Sequence, residues 1–472
     1  MNALLTIANP AAAPSRPVAA ANAVRSGLRI LLLTPYTGGN LGDGAIQEAV
    51  IYHLRQRLPS PKIWLVTLSP RATRALHRLP SFPIARTEIE TAPVRDTAVL
   101  RGLVEYDSRP SPMGLVKKYL RQLPWLRNAL AAAKRAGREV KSLLLSLPGE
   151  IRHLWRMRSL LVESDLLVMS GGGQIDDYWG GAAGHPYALF KWAMLARLCG
   201  TPVVFLSVGV CTVGTPLGRR LAHSALRLAA YRSYRDHGSK ALLRAAAFTQ
   251  SDPEFPDLAF SHPCAKRNPA AARIANASCA VVGISPIAFL RPQVWPESDP
   301  GVYEQYLQTL CNFTARVLAG GHPVVIFTTA SMDRPAAKDL EARLRQRPES
   351  KSWNGRLRRI DQQRLERQLD EIGKMDLVVA SRLHGVILSH LLSRPVLAIS
   401  YDRKVRAHME SMTQERHCLN LRDCTVPQLC DGFDRIESDA VAIAANIRSR
   451  VEEFGQRLDR QYDRLVQTLL VK

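Results

Sequence analysis

The feature that most restricts this chain is an alternation of short apolar runs, each the length of one strand, with segments whose apolar residues recur at helical spacing. LRILLLT (28–34), KIWLVTLS (62–69), DLLVMS (165–170) and PVVFLSVGV (202–210) read as strands, and Tyr231 to Arg235 as a further one. Between them GAIQEAVIYHLRQRL (44–58) and HPYALFKWAMLARLCG (185–200) carry the period of amphipathic helices, the second closed by Gly200. Strand and helix in turn predict parallel α/β architecture. Periodicity lapses over SHPCAKRNPAAARIANAS (261–278). It restarts with CAVVGISPI (279–287), a helix from about Val302 to Ala319, HPVVIFTTA (322–330), DLVVAS (376–381) and PVLAISY (395–401). A charged amphipathic helix, Val441 to Leu470, ends the chain. At 472 residues the chain outgrows a single core. The expectation is two doubly wound domains facing each other across a cleft. Their bounds are a flexible tail over 1–27, a first domain over 28–262 interrupted by a helical insertion at about 101–158, a linker over 263–278, and a second domain over 279–472.

Charge narrows the partners. A net charge of +23 calls for an anion. Between Lys117 and Arg158 stand eleven basic residues against two acids, Glu139 and Glu150, with Trp125 and Trp155 interleaved. Segment 113–158 therefore reads either as a basic amphipathic helix pair on an anionic membrane surface or as a solvated insertion. Nucleic acid has only charge in its favour, since no RNA-binding aromatic motif, zinc finger or recognition helix is present. No apolar run is long enough to span a bilayer, and residues 1–27 lack the basic start and apolar block of a signal peptide. Eight irregularly spaced cysteines without a C-x-x-C pair suit a reduced, cytoplasmic setting, peripheral to the inner membrane face if the insertion binds there. Cys418, Cys424 and Cys430, with His408 and His417, lack metal-ligand spacing, so no metal is expected.

Unusual residues gather where strands end, the place where doubly wound sheets bind ligands. After the first strand comes TPYTGGNLGDGAIQEAV (34–50), with Asn40 and Asp43 at a helix start. It reads as a ligand-approaching loop or as a tight turn capped by Asp43. After DLLVMS, the run Gly171, Gly172, Gly173 lets the backbone come close to a ligand, and Gln174, Asp176, Asp177 and Tyr178 could hold sugar hydroxyls. SVGVCTVGTP (207–216) brings Ser207 and Gly209, and YRSYRDHGSKALL (231–243) brings Arg235, either an anion ligand or half of a structural pair with Asp236. The fourth stretch is SRLHG (381–385). Arg382 and His384, two apart on an extended segment, point the same way, with Gly385 starting the helix. Arginine holds a carboxylate or phosphate, histidine moves a proton near neutrality, and together they suit an anion undergoing acid–base chemistry.

In this order and spacing NLGDGAI (40–46), SGGG (170–173), SVGV (207–210), YRD (234–236), SRLHG and YDRKV (401–405) resemble the polysaccharide pyruvyl transferase family, from about Leu28 to Met412. The resemblance implies two facing Rossmann-like domains of the glycosyltransferase-B kind. It implies transfer of the enolpyruvyl group of phosphoenolpyruvate onto two hydroxyls of a sugar as a pyruvate ketal, in bacterial exopolysaccharide biosynthesis. The partners are then phosphoenolpyruvate, as donor substrate with no cofactor, and a sugar acceptor that is lipid-linked, nucleotide-linked or polymeric. Arg382, Arg235 and Lys404 become the candidates for holding the donor's anionic groups, with Asn40, Gly171–Gly173, Ser207, Gly209 and Ser381 lining the site. His384 becomes the general acid for the methylene carbon, and Asp43 or one of Asp176 and Asp177 the base for the attacking hydroxyl. Two competitors stay open: a nucleotide-sugar glycosyltransferase on the same fold, which lacks here the donor-binding glutamate near Ser389 and His390, and a non-catalytic polyanion-binding protein.

Overall fold

The computed structural model describes residues 25–85, 148–178, 180–267, 279–295, 297–353 and 355–470. Most of the tail, the insertion up to residue 147 and the linker from 268 to 278 lie outside the described residues. A helix over 148–162 carries the end of the basic segment.

Twelve strands form two six-stranded parallel sheets. The first contains β1 (Arg29–Leu33), β2 (Lys62–Thr67), β3 (Ser81–Pro83), β4 (Leu166–Ser170), β5 (Val203–Val208) and β6 (Tyr231–Tyr234), in the order β3-β2-β1-β4-β5-β6. The second contains β7 (Val282–Ser285), β8 (Val324–Ile326), β9 (Leu357–Arg359), β10 (Leu377–Ala380), β11 (Val396–Ser400) and β12 (Cys418–Asn420). Its order is β12-β11-β10-β7-β8-β9, the same winding read from the other edge. Each sheet therefore reverses direction once, between β1 and β4 and between β7 and β10, and those switch points open the crevices where such sheets take ligands. β4, β5, β7, β10 and β11 are buried at every residue, which is why they read as unbroken apolar runs.

Three helices position the site. Helix α1 (Leu41–Arg57) starts behind Asn40, whose side chain accepts from the Gly42 N–H. Helix α2 (Leu383–Leu391) starts at Leu383 instead of Gly385, with Arg382 in extended conformation as its N-cap. Helix α3 (Ala440–Leu470) crosses back to the first half of the chain. There Gln461 bonds Ser207 and Ser233, Tyr462 meets Ser261 at 3.1 Å, and Asp459 and Asp463 take the guanidinium of Arg57 at 2.7 and 2.9 Å. Among the described residues no helix is long and apolar enough to cross a membrane.

Candidate active site between the two sheets

The halves of the molecule touch through backbone. The loop after β1 pairs with the loop after β8: Leu41 N donates to Thr329 O at 2.8 Å, and Ser331 N to Gly39 O at 2.7 Å. Glycines make this approach feasible, because a Cβ on Gly39 would lie 2.2 Å from Ser331 Oγ and one on Gly42 would lie 1.9 Å from His384 Cγ. The first turn of α1 is thereby pressed against the first turn of α2. The Asn40, Asp43 loop and the Arg382, His384 loop, separate in sequence, face each other.

Asp43 is 9% exposed and receives a 2.7 Å hydrogen bond from Asn40 Nδ2. A helix N-terminus ordinarily favours a carboxylate. Here burial first, and then the negative charge of Asp257, push Asp43 up to about 7, against the opposing pull of Asn40, Arg235 and Arg382. Burial acts in the opposite sense on His384, taking it down to about 4, with Arg235, Arg382 and Lys404 adding to the fall and Asp257 resisting it. At neutral pH the imidazole is uncharged and Asp43 is close to half protonated. Burial thus acts on the two groups in opposite senses, whereas the family resemblance implied His384 as the general acid.

The cations are anchored. Arg382 uses Nε and Nη2 on the two oxygens of Asp333, a residue 1% exposed that also accepts from Ala288 N. Arg235 uses Nε on Asp236 at 3.2 Å and Nη1 on Asp257 at 3.4 Å. Nη1 of Arg382 and Nη2 of Arg235 remain outside those pairs, so each guanidinium is fixed in orientation with one terminal nitrogen to present. Lys404 sits in the first turn of the Arg403–Ser411 helix, 3.7 Å from Asp402 and over the ring of Tyr401 at 5.3 Å. Burial would lower it, but Tyr401, Asp402 and Cys211 outweigh burial and raise it.

The glycine run divides. Gly171 and Gly172 have φ of +47° and +67°, a region that favours glycine, while Gly173 borders open space. The Gly172 carbonyl accepts from Gly209 N at 2.7 Å, and a Cβ on Gly209 would come within 2.7 Å of Arg235 Nη2. Gly209 thus lets the arginine lie flat across the end of β5.

Other expected site residues face elsewhere. Ser207 is fully buried, and its hydroxyl donates to Gln461 at 2.9 Å, tying α3 to the sheet. Ser381 is 1% exposed and bonds Tyr306 at 2.7 Å. Gln174 donates to the Ser170 carbonyl, and Asp177 accepts from Gly214 N, Thr215 N and Thr215 Oγ1. Small polar residues at strand ends pass for ligands in a sequence because chain-to-chain hydrogen bonding needs the same groups. Asp176 is different: its Oδ1 is buried without a hydrogen-bond partner.

Two acids that complete the site were not singled out in the sequence. Asp333 follows β8 at a strand end, and scrutiny of all strand ends would have flagged it. Asp257 lies in the irregular segment after β6, where no period marks it, and caps the short turn Leu258–Ser261.

Comparison with known proteins fits this architecture. UDP-GlcNAc 2-epimerase from Methanocaldococcus jannaschii superposes with a TM-score of 0.50 at 9% identity, covering 86% of this chain and 92% of that one. S. aureus MnaA, in a UDP co-structure, gives 0.52 at 8% identity, with 93% and 95% covered. A glycosyltransferase from Rickettsia africae gives 0.48 at 9%, with 94% and 99% covered. At such identities the first two likenesses are of fold alone, glycosyltransferase-B-like. No curated protein matches the chain in sequence. A family model does, over residues 40–403: polysaccharide pyruvyl transferase.

Proposed function

The chain belongs to the polysaccharide pyruvyl transferase family, and from that premise we propose that it moves the enolpyruvyl group of phosphoenolpyruvate onto two hydroxyls of a sugar in a bacterial polysaccharide or its precursor. The observation that carries the reading is the packing of the His384 ring against Gly42, the residue before Asp43, at the facing switch points, with Arg382 and Arg235 within electrostatic reach of both Asp43 and His384. Phosphoenolpyruvate brings a carboxylate and a phosphate. The oriented guanidinium nitrogens of Arg382 and Arg235, with the Lys404 ammonium, supply fixed positive charge for both groups and for the phosphate as it leaves.

Chemistry then requires a proton on the methylene carbon C3, a bond from one sugar oxygen to C2, and loss of that hydroxyl's proton. A second hydroxyl attacks C2 as the C2–O bond to phosphate breaks, its proton leaves with the phosphate, and the products are a pyruvate ketal and inorganic phosphate. Either Asp43 or His384 could in principle be the acid. With values of about 7 and about 4, Asp43 as acid and neutral His384 as base is the dominant arrangement between those pH values. The reverse assignment needs the minor form of both groups. The negative charge of bound phosphoenolpyruvate raises both groups. Asp43 is therefore assigned as the proton donor to C3 and His384 as the acceptor from the attacking hydroxyl. Gly172, beside Asp43, keeps the backbone low enough for a substrate to lie there.

The acceptor is placed at the inner face of the cell membrane on the strength of the basic segment 113–158. The test is phosphate release from phosphoenolpyruvate with a panel of lipid-linked and nucleotide-linked sugars. Release that depends on an acceptor and disappears in Asp43→Asn and His384→Ala supports the reading. Turnover retained in both variants removes the site assignment, and consumption of a nucleotide sugar in place of phosphoenolpyruvate replaces the reaction.

A further inference from the structure

One group of side chains beside the site has no role in the account so far. Three aromatic rings converge on Trp295, the four coming from three separate loops. Tyr178 lies on the loop after β4, Phe289 and Trp295 on the loop after β7, and Tyr401 at the end of β11. Trp295 meets Tyr178 at 5.9 Å, Phe289 at 5.2 Å and Tyr401 at 6.0 Å between ring centroids, each edge to face. The group is not sealed in a core: Tyr178 is 38% exposed, and the other three are half-buried. It crosses from one sheet's loops to the other's, as the catalytic pair does. It also joins that pair through Lys404, which lies over the Tyr401 ring and within electrostatic reach of both His384 and Asp176.

Asp176 closes the circuit. It stands two residues before Tyr178 on the same loop, and its Oδ1 is buried with no hydrogen-bond partner. Burial raises its carboxyl above the ordinary range, against the pull of His185 and Lys404. A buried acceptor without a donor is costly and rare unless something else supplies the donor. The loop bearing Phe289 and Trp295 is itself held in an unfavourable shape, with Leu290 and Gln293 at φ of +57° and +63°. Neither is glycine, so surrounding contacts must impose that conformation.

Resting on the pyruvyl-transfer reading, the geometry points to this wall and Asp176 as the subsite for the acceptor sugar: a hexopyranose whose C–H face packs on Tyr178, Trp295 and Tyr401 while its hydroxyl pair donates to Asp176 and is turned toward His384. Apolar aromatic surface with a few converging polar groups is what a small polyhydroxylated ligand needs, since a pyranose is apolar on its ring faces and polar at its rim. Because the wall is built from both halves of the chain, the acceptor is read by both at once, whereas the donor's anionic groups are held by Arg382, Arg235 and Lys404. Acceptor and donor recognition are then separable by mutation.

The experiment uses the full-length chain carrying Asp43→Asn to stop turnover. It is titrated calorimetrically with phosphoenolpyruvate, and with p-nitrophenyl glycosides of glucose, galactose, mannose and N-acetylglucosamine, each in the presence and absence of phosphoenolpyruvate. The expected result is binding of at least one glycoside, weakened at least about tenfold by Trp295→Ala and by Asp176→Asn, with phosphoenolpyruvate affinity changed less than about twofold. Asp176→Asn is the conservative arm, preserving size where Oδ1 has no hydrogen bond to lose. The subsite is overturned by glycoside binding that both variants leave intact, by absence of glycoside binding to the parent, or by equal loss of glycoside and phosphoenolpyruvate, which marks the rings as structural. Failure of phosphoenolpyruvate to bind the parent is a separate result. It sinks pyruvyl transfer, while the glycoside titrations without phosphoenolpyruvate still read the wall.

Discussion

At the scale of single residues, the proposed chemistry turns on Asp43 and His384, and burial shifts the two in opposite directions. Asp43 is more easily ionised in the unfolded chain than in the folded one. Stability held below the ordinary carboxylate value is therefore lost progressively as pH rises to about 7. Asp43→Asn removes the titration while keeping the size of the group. We expect it to abolish turnover and to raise Tm more at pH 8 than at pH 5; an equal or larger gain at pH 5 would contradict the elevated value. The pH profile of kcat/KM in the native protein should be a bell with limbs near 4 and 7, and Asp43→Asn should leave no activity on which to see the upper limb. That the segments carrying Asn40, Asp43, Arg382 and His384 lie at strand ends was legible in the sequence; that Ser207 and Ser381 turn into the core was not. The burial that shifts Asp43 and His384 was not legible either, because it depends on distant segments: Gly172 and Asp257 come near Asp43, and Gly42 against His384.

At the scale of elements, the close approach of α1 and α2 is the decisive contact, and it depends on one missing Cβ. In most helices Gly→Ala stabilises by about 1 kcal/mol. At Gly42 the new methyl would overlap the His384 ring, so Gly42→Ala should instead destabilise by about 1–3 kcal/mol and depress turnover. Thermal melts beside kinetics check this, and a stabilised, active variant would refute the contact. Long buried strands were readable from sequence as apolar runs. β3, β9 and β12 were not, since each is three residues long and lies at a sheet edge, too short for any period to register. The start of α2 was misplaced by two residues because Gly385 looked like a boundary, whereas Arg382 already caps the helix. That offset matters. His384 sits in a helical turn facing Gly42, and Arg382 turns away to Asp333.

At the scale of the whole molecule, two sheets of identical winding are joined by backbone pairing at Asn40 and Ala330 and by the return of α3 across the first half. Gln461 bridges buried Ser207 and Ser233, so Gln461→Ala should cost about 1–3 kcal/mol by leaving the Ser207 hydroxyl without its acceptor. Acid sensitivity is built into the second half. His384, His390 and His408 are all buried and depressed, so the unfolded chain binds more protons than the folded one below the ordinary histidine value. Stability should fall as pH drops from about 6.5 toward 4, as a urea midpoint series would show. The basic segment 113–158 belongs to this scale too: deleting it should release the protein from anionic vesicles while phosphoenolpyruvate binding persists, and unchanged vesicle binding would remove its membrane role.

The central claim is that carbon moves from phosphoenolpyruvate to a sugar. Incubating the full-length protein with phosphoenolpyruvate carrying 13C at C2 and a lipid-linked sugar panel tests it most directly. The account predicts the label in the sugar product as a ketal carbon bonded to two sugar oxygens, with one phosphate released per transfer and none in His384→Ala. Label remaining wholly in phosphoenolpyruvate while a nucleotide sugar glycosylates the same acceptors would contradict it.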